Sequence, residues 1–184
     1  MSIVVLLSGS GTNLQAIMDA GHPFTNEGRI NVKFVMSDKH DAYGLKRAQK
    51  RKIPTLSQPK LKSLEKSVTK LCKANKVELI VLAGFMRLLN PGFIKKWEKK
   101  IINIHPSLLP SFKGAHAIEQ AYNYGVKYTG VTVHYVDKGM DTGSIIAQEV
   151  VPIKKSDSLN DLHAKIHKVE HRLYPNVIRG ILNG

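Results

Sequence analysis

A chain of 184 residues with 42% hydrophobic and 7% aromatic residues has the size and composition of one soluble globular domain with its own core. No run approaches the ~20 apolar residues of a membrane span. The apolar start Ile3–Leu7 is too short for a signal sequence and lacks a basic flank, and the lone Cys72 excludes an internal disulfide framework and fits a reducing cytoplasm. The net charge of +14 favours anionic ligands, whether phosphates, carboxylates or nucleic acid. Much of the excess lies in Lys46–Lys52, Lys60–Lys76 and Lys95–Lys100, on expected helices. No aromatic platform interleaves these lysines, so solvated helix faces are the better reading than a nucleic-acid groove.

In chain order, Ile3–Leu7 reads as a fully buried strand and Ser8–Asn13 as a glycine-rich turn. A helix over Thr12–Ala20 follows, with Leu14, Ile17 and Met18 on one face, closed by Gly21-His22-Pro23. Val32–Met36 is the second strand, Tyr43–Lys52 a basic helix and Ile53–Thr55 a short strand. Ser63–Asn75 is a helix with Leu64, Val68, Leu71 and Cys72 inward, which makes Cys72 a buried small hydrophobe rather than a nucleophile. Leu79–Ala83 is the fourth strand, Pro91–Trp97 a helix and Ile101–His105 the fifth strand. Pro106 ends that strand, because it cannot donate to a ladder. Pro110–Gly114 is then a loop, Ile118–Tyr124 a helix stopped by Gly125, and Val131–Val136 and Ser144–Val151 two β segments around Asp137–Gly143. Ser158–Asn183 is the last helix, opened by Ser158 and Asp161 at capping-box spacing. The alternation predicts one α/β domain over residues 1–184, Rossmann-like and doubly wound, with a mostly parallel sheet and helices on both faces.

Four stretches carry groups able to do chemistry. On the fifth strand Ile102 and Ile104 share one face, and Asn103 and His105 the other. That places an amide and an imidazole at the carboxyl end of a buried strand, the edge where open α/β sheets bind ligands. The pair reads either as core polar groups satisfied by neighbours or as a hydrogen-bond donor beside a proton carrier. The Ser8–Asn13 turn, between a strand and a helix, suits an anion at the helix N-terminus. It has neither the Gly-Lys-Ser/Thr of a Walker loop nor a third glycine for a dinucleotide fingerprint, since Leu14 stands there. A small phosphorylated substrate is therefore preferred to a dinucleotide, and Asp38 is a turn residue or an imitation of a ribose-binding acid. Asp137 and Asp141 both lie where a carboxylate beside His105 would orient the ring and favour its charged form, and spacing does not choose between them. His163, His167 and His171 share one helix face. Without a His-Glu-x-x-His order they read as packing or exposed residues rather than metal ligands. Glu170 is an isolated acid on this basic helix, suited to a substrate ammonium or to a surface ion pair.

The segments Val4–Ala16, Leu82–Arg87, Asn103–Pro110 and Met140–Gly143, with their order and spacing over nearly the whole chain, resemble the phosphoribosylglycinamide formyltransferase family. Asn-x-His-Pro-Ser-Leu-Leu-Pro and Asp-Thr-Gly are motifs of the wider formyltransferase superfamily. The Ser8–Asn13 loop and Ala83–Arg87 point to this member. The resemblance implies a formyltransferase fold and the transfer of a formyl group from 10-formyltetrahydrofolate to the amine of 5-phosphoribosylglycinamide (GAR). The products would be formyl-GAR and tetrahydrofolate, in purine biosynthesis. It assigns Asn103, His105 and Asp141 to catalysis, and so prefers Asp141 to Asp137. It assigns Gly11, Thr12, Asn13, Ser107 and Glu170 to GAR, and Met86, Arg87, Leu88 and Leu89, with Asn103 and Asp141, to the folate. By the same resemblance residues 1 to about 100 bind the nucleotide phosphate, and about 101–184 carry the catalytic residues and folate pocket. No metal, nucleic acid or membrane is implied, and the expected state is a cytoplasmic monomer or weak homodimer.

The chain also departs from these relatives. Many of them continue beyond the last helix, so a C-terminal covering segment is expected to be missing after Gly184. The Ser111–Gly114 loop differs in detail and is expected to be a mobile lid. Lys60 and Lys62 are the candidates for the folate tail, and His167 stands where an amide is expected. The alternatives are other formyltetrahydrofolate enzymes, one acting on methionyl-tRNA and one releasing formate. Each is disfavoured because the additional domain expected of it is not in this sequence.

Overall fold

The computed structural model describes residues 2–21 and 30–183. Its centre is β1 (Ser2–Leu7), whose apolar run lets both faces be buried. Ile3, Val5 and Leu7 pack on one side against α1 (Thr12–Ala20), and Val4 and Leu6 on the other. Outward on one side lie β2 (Asn31–Ser37) and β3 (Thr55–Ser57), and on the other β4 (Leu79–Leu82) and β5 (Ile101–His105). Two further strands, β6 (Tyr128–Tyr135) and β7 (Ile145–Pro152), complete a seven-stranded sheet of order β3-β2-β1-β4-β5-β6-β7. The first five run parallel, β6 runs antiparallel to β5, and β7 antiparallel to β6.

Helices cover both faces, as the alternation predicts. α2 (Tyr43–Lys50) and the long α6 (Leu159–Asn183) supply residues to the same core as α1. α3 (Leu61–Ala74) and α4 (Pro91–Lys96) build the second core, which includes Leu64, Val68 and Trp97. Cys72 belongs to that core, where burial pushes its thiol up to about 12. α5 (Ala117–Tyr124) follows the proline-bracketed loop and ends at Gly125 in a left-handed conformation. The predicted capping box of α6 is formed: Asp161 Oδ2 accepts the Ser158 N–H, and Ser158 Oγ accepts the Asp161 N–H.

Several boundaries differ from the sequence expectation, three of them as follows. β3 begins at Thr55, two residues late, because Pro54 has no N–H to give the ladder and contributes only its carbonyl, to Val35 N. β6 begins at Tyr128, three residues early, since Tyr128 to Gly130 pair with β7. Gly130 is needed there: a Cβ would lie 2.2 Å from Glu149 O and 2.6 Å from the Leu108 side chain. α2 stops at Lys50, with Lys52 in a left-handed turn at φ 57°. Gly21 caps α1 as expected, while His22 and Pro23 lie outside the described residues. No helix among the described residues is long and apolar enough to cross a membrane.

Strand order reverses between β1 and β4, which places the crevice at the carboxyl ends of these strands and of β5. Tyr174 of α6 stitches that edge from below. Its fully buried hydroxyl donates to Leu82 O at 2.8 Å and reaches Ile102 O at 3.2 Å, one residue before Asn103.

Candidate active site

β5 delivers its two polar side chains as the alternation requires. Ile102 and Ile104 enter the first core and Ile101 the second, and Asn103 and His105 face a cavity of about 520 Å³. His105 is buried. Its Nδ1 lies 3.3 Å from Asp141 Oδ2, and its Nε2 donates to Phe112 O at 2.8 Å. Both ring nitrogens thus face oxygen atoms.

Between the two candidate acids the geometry is decisive. Asp137 is a turn residue whose Oδ1 accepts from Gly139 N and Thr142 Oγ1. Asp141 sits in a left-handed conformation at φ 53° and turns its carboxylate inward, where Gly114 N–H donates to Oδ2 at 2.8 Å. Burial pushes its carboxyl up. The contact with His134, the Gly114 N–H and the His105 charge outweigh that and hold it below the ordinary carboxylate range.

His134 is the residue the sequence reading missed. It lies opposite Asn103 in the β5–β6 register and is 3% exposed. Its Nδ1 donates to Tyr135 O at 2.8 Å, and its Nε2 is 3.3 Å from Asn103 Nδ2 and 3.7 Å from Asp141 Oδ1. The signal was present in β6, where Thr132 and His134 alternate with Val131, Val133 and Tyr135 and so form a polar face on the side of the sheet that carries Asn103 and His105.

The expected folate wall surrounds the same cavity. Met86, Arg87, Leu88 and Leu89 all line it, and Met86 and Leu88 are 72% and 69% exposed on the rim. Arg87 is anchored by Pro59 O at 3.5 Å and by Asp38 at 3.9 Å. Asp38 is neither a free turn residue nor, by its contacts, a ribose ligand. It is buried, accepts the Ser8 hydroxyl at 2.6 Å, and Ser8 Oγ in turn accepts the Met86 N–H. It therefore ties the ends of β1 and β2 to the rim. Buried Glu65 of α3 holds the other end of that rim by accepting from Asn90 N and Nδ2, both at 2.7 Å.

Gly11, Thr12 and Asn13 lie outside the cavity wall, at the start of α1. Glu170 joins them: it is 5% exposed and accepts from Asn13 Nδ2 at 3.3 Å and His167 Nδ1 at 2.9 Å. It is therefore a buried acid beside the glycine-rich loop and not a surface ion-pair partner. Ser107 is not brought to either region. Its hydroxyl donates to Ser111 O, and its carbonyl accepts from Thr132 Oγ1, so it braces the loop that follows β5. Along α6 the rings of His163, His167 and His171 stand 6.1 Å apart in a row. No metal-holding cluster occurs among the described residues.

The hydrogen bond to Glu170 raises His167 above the ordinary histidine value, against the pull of burial. His171 goes the other way: burial lowers it, Glu170 opposes, and the His167 charge adds to the lowering. The His167–Glu170 bond contributes stability that is complete below the unfolded histidine pKa and is lost as pH rises through the raised folded value. The melting-temperature difference between the protein and His167→Ala is therefore expected to be largest in mild acid and to shrink with rising pH. A difference that grows with pH contradicts this.

An amide donor, an imidazole and a carboxylate thus converge at one end of a cavity with an apolar rim, while an anion-suited loop and a buried acid lie beside it. This arrangement fits acyl transfer to an amine. The family model described as formyl transferase matches residues 1–178. A glycinamide ribonucleotide transformylase 1 from Geobacillus kaustophilus superposes with a TM-score of 0.91 at 44% identity, over 98% of each chain. A phosphoribosylglycinamide formyltransferase from Bacillus halodurans gives 0.90 at 43%, over 99% of this chain and 95% of that one. The trifunctional purine biosynthetic protein adenosine-3 of Drosophila melanogaster is 43% identical over 99% of this chain, and that of Homo sapiens is 38% identical over 99%. This chain spans only 14% and 18% of the length of those two proteins. With its sheet order, its converging Asn103, His105 and Asp141 and these likenesses, the chain belongs to the formyl transferase family.

Proposed function

We propose that this protein transfers the formyl group of 10-formyltetrahydrofolate to the primary amine of GAR, in purine biosynthesis. The observation that carries the reading is the convergence of Asn103, His105 and Asp141 on a cavity of about 520 Å³, within the ordinary size of a small-molecule site. The apolar rim from Met86 to Leu89 takes the pterin end of the folate, with Arg87 at its mouth. Gly11, Thr12 and Asn13 take the nucleotide phosphate. Glu170 faces the glycinamide amine, which can replace the bonds Glu170 now receives from His167 and Asn13.

The amine attacks the formyl carbon, and negative charge develops on the formyl oxygen. Asn103 Nδ2 and His105 Nε2 donate to that oxygen, so the lid must first withdraw Phe112 O from His105. Asp141 holds His105 in place as a donor and receives the proton released by the amine, directly or through water; the bond from the formyl carbon to the folate N10 then breaks, the carbonyl re-forms, and N10 takes up that proton as tetrahydrofolate leaves. In this division of labour, residues up to about 100 bind the phosphate and share the folate rim. The later residues supply the catalytic groups and Glu170. The protein acts in the cytoplasm as a monomer or weak homodimer.

The test is an assay of purified protein with both substrates, following loss of the formyl donor. Turnover is expected only when GAR is present. Consumption of the donor without an amine would instead support a hydrolase, and salt-dependent binding of methionyl-tRNA with its formylation would support the other alternative.

A further inference from the structure

The glycine-rich loop is oriented from behind by α2. Gly9 O accepts the Gly44 N–H at 3.0 Å, and Ser10 O accepts the Arg47 Nε–H at 2.9 Å. Both peptides are trans, so in each the carbonyl and the following N–H point to opposite sides. Fixing Gly9 O and Ser10 O on α2 therefore turns the Ser10 and Gly11 N–H groups away from it. Those two, and the Thr12 and Asn13 N–H groups at the first turn of α1, meet no acceptor among the described residues. Four successive uncommitted donors form a nest for an anion.

Arg47 is itself preorganised. Its Nη1 donates to Gln15 Oε1 at 3.4 Å, and its guanidinium stands 5.0 Å from the centre of the Tyr43 ring. It has no carboxylate partner among the described residues, so a full positive charge lies directly behind the loop. Packing leaves the loop little freedom to turn otherwise: a Cβ on Gly11, at φ 72°, would lie 2.6 Å from Gly44 Cα.

We infer that Arg47 is a positioning residue for the substrate phosphate, holding the Ser10–Gly11 peptide so that its N–H faces the anion. This rests on the GAR reading above. It goes beyond it in assigning phosphate recognition to a side chain of α2 outside the loop. Lysine keeps the charge but not the fork that bonds Ser10 and Gln15 together.

Two measurements test it. Binding of ribose 5-phosphate by calorimetry needs no turnover: Arg47→Ala is expected to weaken it about tenfold, the size of one charge-assisted hydrogen bond, and Arg47→Lys by less. In turnover, Arg47→Ala is expected to raise KM for GAR about tenfold, with KM for the formyl donor and kcat unchanged. The dephosphorylated glycinamide riboside is expected to react equally well with wild type and variant. Equal losses for nucleotide and nucleoside, or ribose 5-phosphate binding that does not change, overturn the inference. A wild type that binds ribose 5-phosphate through Arg47 yet never formylates GAR overturns the function and leaves the inference standing.

Discussion

Asp141→Asn is expected to lower kcat by roughly 10³-fold while leaving both KM values within about threefold. The substitution is conservative in every respect except charge. Asn accepts the left-handed backbone that Asp141 adopts at φ 53°, and its carbonyl can still take the Gly114 N–H. The carboxylate 3.3 Å from His105 Nδ1 is lost, and with it the group that, in the proposed mechanism, orients the ring and accepts the amine's proton. Steady-state kinetics with both substrates check this, and a loss confined to KM would move Asp141 from catalysis to binding. The pH dependence has a definite sign. Asp141 is held below the ordinary carboxylate range, so its ionised form persists into acid. Any fall in kcat/KM caused by its protonation should begin below the pH at which an ordinary Asp titrates. Its contribution to folding stability is likewise complete above the unfolded value and is lost as pH falls through the lowered folded one.

Which parts of this site were legible in the sequence depended on whether the deciding contact was local. The strand β5, its two-faced alternation and its stop at Pro106 are properties of neighbouring residues, and Asn103 and His105 could be placed on one face without a fold. The helix caps were legible for the same reason: Ser158 and Asp161 are three residues apart and bond only to each other and to the adjacent backbone. Choosing Asp141 over Asp137 was not possible from spacing. The choice depends on a left-handed turn and on the Gly114 N–H, 27 residues away in the chain. Ser107 sits inside a recognisable motif, yet its hydroxyl is engaged by Ser111 O, a contact set by how the loop folds back. His134 and Glu170 show two kinds of long-range dependence. His134 needs the β5–β6 register to meet Asn103, and Glu170 needs α6 to pack on α1 before it can reach Asn13, 157 residues earlier. The charged surface illustrates the converse. A net charge of +14 was visible at once, but the two groups that give the glycine-rich loop its orientation, Gly44 and Arg47, are identified only by the carbonyls they hold.

Asn103→Asp is expected to be more damaging than Asn103→Ala, although it is the closer match in shape. Asn103 faces the cavity from between Leu82 on β4 and His134 on β6, and its amide nitrogen lies 3.3 Å from His134 Nε2. One N–H of that amide is directed at His134, and the other is free for the oxygen that gains charge. Alanine removes the donor and leaves a space that water can enter, for which a loss of roughly 10²-fold in kcat is typical. Aspartate replaces the donor with an anion at the position where negative charge develops, and sets it in the same pocket as the ionised Asp141. Repulsion is then added to the missing hydrogen bond, and a loss of at least about 10³-fold is expected. Single-turnover measurements at saturating donor isolate the chemical step, and equilibrium binding of the folate shows whether the pocket is intact. If the two variants are equally impaired, no negative charge builds up near Asn103, and the oxygen is stabilised elsewhere. If aspartate alone also fails to bind folate, its effect is on the ground state, and the alanine variant carries the comparison. The predicted order, wild type above alanine above aspartate in kcat with folate binding retained in all three, distinguishes a donor to a developing oxyanion from a residue that only shapes the pocket.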